Sequence, residues 1–291
     1  MSSVSLRRNI ISVALAVITA LALVVLSPLL ASGQLPLEPS KHKGQNVTAA
    51  YEGWFRNSDG TFSLLVGYFN RNHDETLDIL VGPNNRIEPG GPDQGQPTHF
   101  LPRRNWGVFT IQVPADFGSK TLTWYLNANG KPTEIPMHLK KDWEVEPLRE
   151  KAQGNTPPTV RFAPEGPAQQ GAPMGLAASF EGSTTEPVVL KVWASDDGVI
   201  VDPFRPDAID PPVKLFWSKY RGPGEVSFDN AGPEVSKEDS TAVTSATFSE
   251  PGDYILRLQA NDNSGNGGGG SQCCWTNAHV QVKISSSKSS Q

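Results

Sequence analysis

Cysteine is scarce in this 291-residue chain, which contains only Cys273 and Cys274. Exported domains usually carry disulfides between cysteines that are distant in sequence, and two adjacent cysteines exclude such a cross-link within one chain. We therefore expect packing, not cross-linking, to stabilise the fold. A vicinal disulfide or two free thiols is the expected state of this pair. A metal site with His279, which needs a sharp bend, and a disulfide-linked dimer are the alternatives.

The chain also lacks an excess of basic residues and the common catalytic motifs. Its formal net charge is −5, which gives no electrostatic support to nucleic-acid binding. Gly-x-Ser-x-Gly, His-Glu-x-x-His and a phosphate-binding glycine loop before a helix are absent. The five histidines are scattered, at positions 42, 73, 99, 138 and 279. The sequence predicts a protein that is not an enzyme, binds no nucleic acid and uses no cofactor other than calcium.

The first 33 residues have the features of a targeting segment. Arg7 and Arg8 precede an apolar run from Ile10 to Leu26, Pro28 ends this run, and residues 31–33 are small, as at a signal-peptide cleavage site. The run is long for a signal peptide and short for a membrane-spanning helix. Cleavage after this small tripeptide is the preferred interpretation, and a retained N-terminal anchor is the alternative. Both predict a protein that is periplasmic, at the cell surface or secreted, with membrane contact only through this segment.

Glycine and proline are abundant, at 27 and 25 residues, and they separate short runs with the period-2 alternation of β-strands. Polar stretches rich in proline, charge or serine mark linkers. The sequence predicts an all-β protein with two β-sandwich-like domains after an N-terminal signal or anchor helix. The predicted parts are residues 1–33 (signal peptide or anchor), 34–48 (linker), 49–139 (all-β domain of unrecognised family), 140–158 (linker), 159–285 (second sandwich) and 286–291 (disordered tail).

The clearest strand pattern lies between Ala246 and Asp262. After a Pro-Gly turn, Tyr254 and Leu256 point to one side of the chain, while Arg257 and Gln259 point to the other. This alternation predicts a β-strand that has one face on a core.

The second predicted domain resembles PKD-type immunoglobulin-like domains along most of its length. The resemblance rests on residues 192–198 (VWASDDG), 215–218 (LFWS), 247–254 (TFSEPGDY) and 256–262 (LRLQAND). It implies a Greek-key sandwich in an extracellular spacer or adhesion module. It also implies that Trp217 lies between the two sheets and that the hydroxyl of Tyr254 ties the corner at the start of its strand.

A long loop at residues 82–105 is the best candidate for a binding site, because loops of this length are usually functional or disordered. Arginine beside aromatic rings suits recognition of carboxylates or sugars. The alternative is that the aromatic side chains pin the loop to the sheet while its charges stay solvated. The candidate binding residues are Arg86, Glu88, Asp93, His99, Arg103, Arg104 and Trp106.

An acidic group in the second domain is a candidate calcium site, since calcium prefers six to eight oxygen ligands that loops at one end of a sandwich can supply. The candidate ligands are Asp196, Asp197 and Asp262. The alternative is that these residues are solvated turn residues, because aspartate is common where a chain reverses.

Aromatic residues occur as adjacent pairs on predicted strands, so one member of each pair must face outward or toward a neighbouring element. The pairs are Trp54-Phe55, Tyr68-Phe69 and Trp124-Tyr125. The leading hypothesis is an exported, non-catalytic binding module that contacts an envelope or extracellular protein through the long loop. A polysaccharide-binding protein with an exposed aromatic row is the second hypothesis, and a calcium-stiffened structural spacer is the third.

Overall fold

A computed structural model describes residues 41–146, 154–199, 213–262 and 274–286, which belong to one structural unit starting at Lys41. The predicted signal or anchor segment, Cys273 and residues 287–291 of the predicted tail lie outside the described residues. In the part of the chain that is described, no helix is long and apolar enough to cross a membrane.

Residues 41–146 contain the first β-sandwich. Its strands are β1 (Val47–Arg56), β2 (Phe62–Asn70), β3 (Leu77–Asp78), β4 (Asn85–Glu88), β5 (His99–Phe100), β6 (Arg103–Val113), β7 (Thr121–Ala128) and β8 (Lys131–His138). One sheet has the order β1-β2-β6 and the other β4-β7-β8, while β3 and β5 form a two-stranded ribbon. All pairs are antiparallel. A short 3₁₀ turn, Lys141–Trp143, follows the last strand.

Trp124 lies at the centre of the first core and is completely buried. Its ring meets the edge of Phe109, with centroids 5.3 Å apart, so β7 of one sheet is packed against β6 of the other. Its indole N–H donates to the side-chain oxygen of Asn85 at 2.9 Å, which satisfies the only polar atom that this side chain buries. The two sheets therefore share one apolar core.

The second β-sandwich follows from residue 159. Its strands are β9 (Thr159–Arg161), β10 (Gln169–Gln170), β11 (Leu176–Ser183), β12 (Val188–Ser195), β13 (Lys214–Arg221), β14 (Val226–Phe228), β15 (Thr241–Phe248), β16 (Gly252–Asn261) and β17 (Trp275–Ser285). The sheets have the orders β10-β9-β12-β15-β14 and β11-β17-β16-β13. Strand β11 runs parallel to β17, and the remaining pairs are antiparallel.

Both residues singled out for the second core lie where the sequence predicts them. Trp217 is 1% exposed between the sheets. The Tyr254 hydroxyl donates to the carbonyl of Glu250 at 2.8 Å and accepts from the N–H of Gly224 at 3.1 Å. This is the corner hydrogen bond that immunoglobulin-like sandwiches form at the start of the equivalent strand. The all-β, two-sandwich prediction with an immunoglobulin-like second domain is confirmed.

Two local predictions differ from the structure. The predicted loop 82–105 contains β4 and β5, because its backbone pairs with β7 and β3. The prediction that β16 has only one covered face is wrong, since Arg257 and Gln259, on the face opposite the core, are 3% and 8% exposed. Residues of the first sandwich contact that face, as described below.

Candidate functional site

The predicted binding loop contacts β13 of the second sandwich. The guanidinium of Arg221 donates to both carboxylate oxygens of Asp93, at 3.0 and 2.8 Å. The backbone N–H of Thr98 donates to the carbonyl of Tyr220 at 3.2 Å, and the Tyr220 hydroxyl donates to the carbonyl of Gly95. Hydrogen bonding to Arg221 lowers the pKa of Asp93 below its ordinary value. The loop therefore joins the two sandwiches.

His99 belongs to the same contact. Its Nδ1 lies 2.9 Å from the carboxylate of Asp78, which also pairs with the buried Lys219 of β13 at 3.3 Å. Arg103, at the start of β6, is exposed and has a φ of 71°. Arg103 therefore faces solvent, whereas His99 lies at the contact between the sandwiches.

Arg104 and Trp106 surround a buried carboxylate. Arg104 donates to Glu52 at 2.7 Å, and its guanidinium lies 3.8 Å from the centroid of the half-buried Trp106 ring. The backbone N–H of Gly107 donates to the second oxygen of Glu52, also at 2.7 Å. Burial raises the pKa of Glu52, and the charge and hydrogen bonds of Arg104 oppose that rise. These contacts fill the inner side of the loop with internal partners.

Arg86 and Glu88 line the outer part of the loop. Arg86 donates to Glu88 at 2.9 Å and stacks on the ring of Tyr125 at 4.4 Å from its centroid. A surface cavity of about 360 Å³ is lined by this stack and by Glu134. Of the predicted binding residues, Glu88, Asp93 and Arg103 are exposed and Arg86 is half-buried, and the binding role itself stays a prediction.

A buried arginine lies at the centre of the contact between the sandwiches. Arg257 donates to the side-chain oxygens of Asn277, Asn105 and Gln259 at 2.8, 3.0 and 3.0 Å. Asn277 in turn donates to the carbonyl of Gly107 at 2.8 Å. Burial lowers the pKa of Arg257. These bonds satisfy a cation that is costly to bury without partners, and they require both sandwiches to be in place.

The polysaccharide hypothesis requires an outward aromatic row, and two of the three tryptophans that would form it are buried. Trp54 is 5% exposed, Trp124 is completely buried, and Trp106 is half-buried beneath Arg104. Phe55, the neighbour of Trp54 in sequence, packs against a buried cluster that contains Trp275 of the second sandwich. The Trp54-Phe55 pair and Trp124 are therefore explained by packing, and these tryptophans form no flat sugar-binding platform.

The predicted calcium ligands lie at one end of the second sandwich, beside the segment that enters it, but among the described residues their carboxylate oxygens do not form a group within 4.8 Å of one another. Asp196 and Asp197 follow β12, and Asp262 follows β16. The amide of Asn155 donates to Asp262 at 2.9 Å, and the hydroxyl of Thr156 donates to Asp197 at 2.6 Å. The site therefore combines three separate segments of the chain.

Two side-chain oxygens in this group are buried and have no hydrogen-bond partner: Oδ1 of Asn155 and Oδ1 of Asp196. Asn155 is completely buried. Burial raises the pKa of Asp196 to about 6, and repulsion from Asp262 and Asp197 adds to the rise. Unpaired buried oxygens beside neighbouring carboxylates are electrostatically suited to a cation.

Sequence reasoning missed Asn155 and Thr156, which it assigned to the linker 140–158. The available signal is an Asn-Thr-Pro-Pro segment directly before β9. The residue before a proline is held extended, which suits a segment that enters a sheet while its side chains contact neighbouring loops.

Cys274 lies directly before β17, is completely buried and is disulfide-bonded; Cys273 lies outside the described residues. His279 is buried on β17, and its ring lies 4.2 Å from that of Tyr220 between the sandwiches. Burial lowers the pKa of His279 to about 3. The geometry assigns His279 to the contact between the sandwiches.

No protein-family model and no curated protein matches the chain. Among solved structures, it is similar to the D00-D0 domain of Intimin, at 10% identity over 82% of this chain and 99% of that one, with a TM-score of 0.27. It is also similar to domains 4 and 5 of the S-layer protein SbsC, at 13% identity over 61% of this chain and 70% of that one, with a TM-score of 0.24. A third similar structure is the Yersinia pseudotuberculosis adhesin InvE, at 12% identity over 84% of this chain and 60% of that one, with a TM-score of 0.25. Because these TM-scores are low, the similarity assigns neither a role nor a partner to this chain.

Proposed function

We propose that this protein is an exported, non-catalytic structural module, in which two β-sandwiches form a spacer that calcium stiffens. The observation that carries the proposal is the group of oxygens around Asn155, Asp196 and Asp262, in which two buried oxygens have no partner. Membership of the PKD type, which the sequence resembles, is part of the same proposal.

Calcium at this position would connect three parts of the chain. Asn155 lies where the chain enters the second sandwich, Asp196 follows β12 and Asp262 follows β16. A cation would use the two unpaired oxygens and offset the repulsion that acts on Asp196. Carboxylate and amide oxygens from flexible loops are the ligands that calcium prefers. Binding would therefore fix the entry to the second sandwich against the ends of two of its strands.

The contact between the sandwiches supports a spacer role. Arg257, the Arg221–Asp93 pair and the apolar packing around Trp275 hold the two sandwiches together. A stiff element must resist bending at its junctions, and buried polar groups with several partners restrict the geometry in which a junction can form.

The other two hypotheses have less support. A protein-binding module would use the loop 82–105, whose Asp93, His99 and Arg104 already pair with residues of the chain itself. A polysaccharide-binding protein would use exposed tryptophans, and Trp124 is buried. The accessible surface around Arg86 keeps the first of these hypotheses testable.

The proposal predicts that calcium stabilises the full-length chain against thermal unfolding. At a calcium concentration of about 100 times Kd, the free energy of unfolding rises by about 2.7 kcal/mol. For a unit of this size, this corresponds to a Tm increase of about 5–10 °C. Asn155→Ala should lose most of the increase. Asn230→Ala, which removes a turn amide elsewhere in the second sandwich, should keep it.

Absence of a calcium effect, or an equal effect in Asn155→Ala, would contradict the proposal. A cross-linked pull-down from the envelope fraction, read by mass spectrometry, tests the binding hypothesis separately. A stoichiometric protein partner lost on Arg86→Ala would replace the spacer role with the binding role.

A further inference from the structure

The segment that precedes β1 lies beside the segment that follows β2. The backbone N–H of Asp74 donates to the carbonyl of His42 at 3.1 Å. The completely buried side chain of Asn72 accepts from the N–H of Gln45 at 2.6 Å and donates to its carbonyl at 3.0 Å. The two segments are therefore held in a defined register by backbone groups and one buried amide.

This register brings together two histidines that are 31 positions apart in the sequence. Nδ1 of His42 lies 2.6 Å from one carboxylate oxygen of Asp74, and Nδ1 of His73 lies 2.5 Å from the other. One potential ligand atom from each of the three side chains lies within 4.8 Å of the others, and all three side chains are exposed. The ring centroids of the histidines are 5.6 Å apart.

We propose that His42, His73 and Asp74 form a surface site for a divalent transition-metal ion such as Zn²⁺. Two imidazole nitrogens and one carboxylate oxygen are a zinc ligand set, and three protein ligands leave one tetrahedral position for water. With metal–ligand distances of about 2.0–2.2 Å, tetrahedral ligand atoms lie roughly 3.3 Å apart. The imidazole nitrogens and carboxylate oxygens now lie closer together than this, so these exposed side chains need to move apart only slightly to bind the ion.

The backbone around these side chains also favours binding. The backbone contact between His42 and Asp74 positions the ligands before any metal arrives, which lowers the conformational entropy that binding must overcome.

The bound ion would cross-link residue 42 to residue 73 and fix the start of the first sandwich. Calcium prefers ligand sets made only of oxygen, so this site differs in chemistry from the one around Asn155. The two proposals are therefore independent, and each can fail without the other.

Zinc titration of the untagged full-length chain by isothermal calorimetry tests the site, with calcium present throughout to occupy oxygen-only sites. His42→Ala, His73→Ala and Asp74→Asn should each weaken zinc binding by at least about tenfold. His99→Ala is the matched control, because His99 forms the other histidine–aspartate pair, with Asp78, but has no second imidazole in that pair. It should leave zinc affinity unchanged.

Copper(II) electron paramagnetic resonance gives a second readout, since coordinated nitrogens split the signal. We expect nitrogen coupling in the unaltered chain and its loss in the His42→Ala/His73→Ala double variant, with unchanged circular dichroism. Zinc affinity that is undetectable in the unaltered chain, equal in the double variant, or reduced equally by His99→Ala would overturn the proposal.

Discussion

Replacing Asp196 by asparagine should stabilise the calcium-free protein at neutral pH and destabilise the calcium-loaded protein relative to the unaltered chain. The carboxylate of Asp196 has a buried oxygen without a partner and is repelled by Asp262 and Asp197. Without calcium, its ionised form is therefore a cost of folding. With calcium, the same charge becomes a source of binding energy.

The size of the effect follows from the pKa of Asp196, which rises from 3.8 to about 6. Below pH 3.8 the carboxyl of Asp196 is protonated in both the folded and the unfolded state, so it does not reduce stability. Between pH 3.8 and about pH 6 this carboxyl ionises only in the unfolded chain, so stability falls as pH rises. Above about pH 6 the full loss of stability applies. The difference corresponds to about 3 kcal/mol before screening. Because Asp196 is only half-buried, we reduce this to about 1 kcal/mol.

Urea unfolding of the full-length chain from about pH 4 to pH 7, in chelator and in calcium, measures the change in stability both without and with calcium. Asp253→Asn is the control, because it removes an exposed carboxylate from the same sandwich. In chelator, the stability of Asp196→Asn relative to the unaltered chain should rise by about 1 kcal/mol across this range. In calcium at neutral pH, Asp196→Asn should be the less stable protein. Parallel pH curves in chelator, or the same calcium effect in all three proteins, would refute the reasoning.

Three further predictions concern packing and buried polar groups, each read as the free energy of unfolding in urea. A Cβ on Gly222 would overlap the ring of Tyr254, so Gly222→Ala should cost more than about 2 kcal/mol. The control is Gly130→Ala, which is also at positive φ but in open space and should cost about 1 kcal/mol. Arg104→Met should cost about 3 kcal/mol, because it leaves the buried Glu52 carboxyl without its ion-pair partner, and adding Glu52→Gln should recover part of that loss; no recovery would contradict the assigned pairing. Tyr254→Phe should cost about 1 kcal/mol through the lost corner hydrogen bond, and an unchanged stability would show that water replaces it.

Strand positions were predictable because alternation reports which side of a strand is apolar. The strand predicted from the alternation after the Pro-Gly turn is present as β16 (Gly252–Asn261). The corner role of Tyr254 was predictable because both its hydroxyl and the Pro-Gly turn before it are local features.

The partners of individual polar side chains were not predictable in the same way. Arg257 alternates with the core residues Leu256 and Leu258, so its pattern indicates a solvent-facing position, yet the first sandwich covers it. The charged partner of Asp93 in the loop 82–105 is not nearby in sequence. This partner, Arg221, lies on β13, more than a hundred residues away.

The sequence by itself determined the all-β class, the strand that carries Tyr254 and the core position of Trp217, because period-2 burial and turn chemistry act over a few residues. Only the tertiary structure decided that the loop 82–105 joins the two sandwiches, that Asn155 meets Asp262, and that His42 meets His73. These contacts link residues far apart in sequence, and the relative placement of strands and segments that brings them together has no local signature.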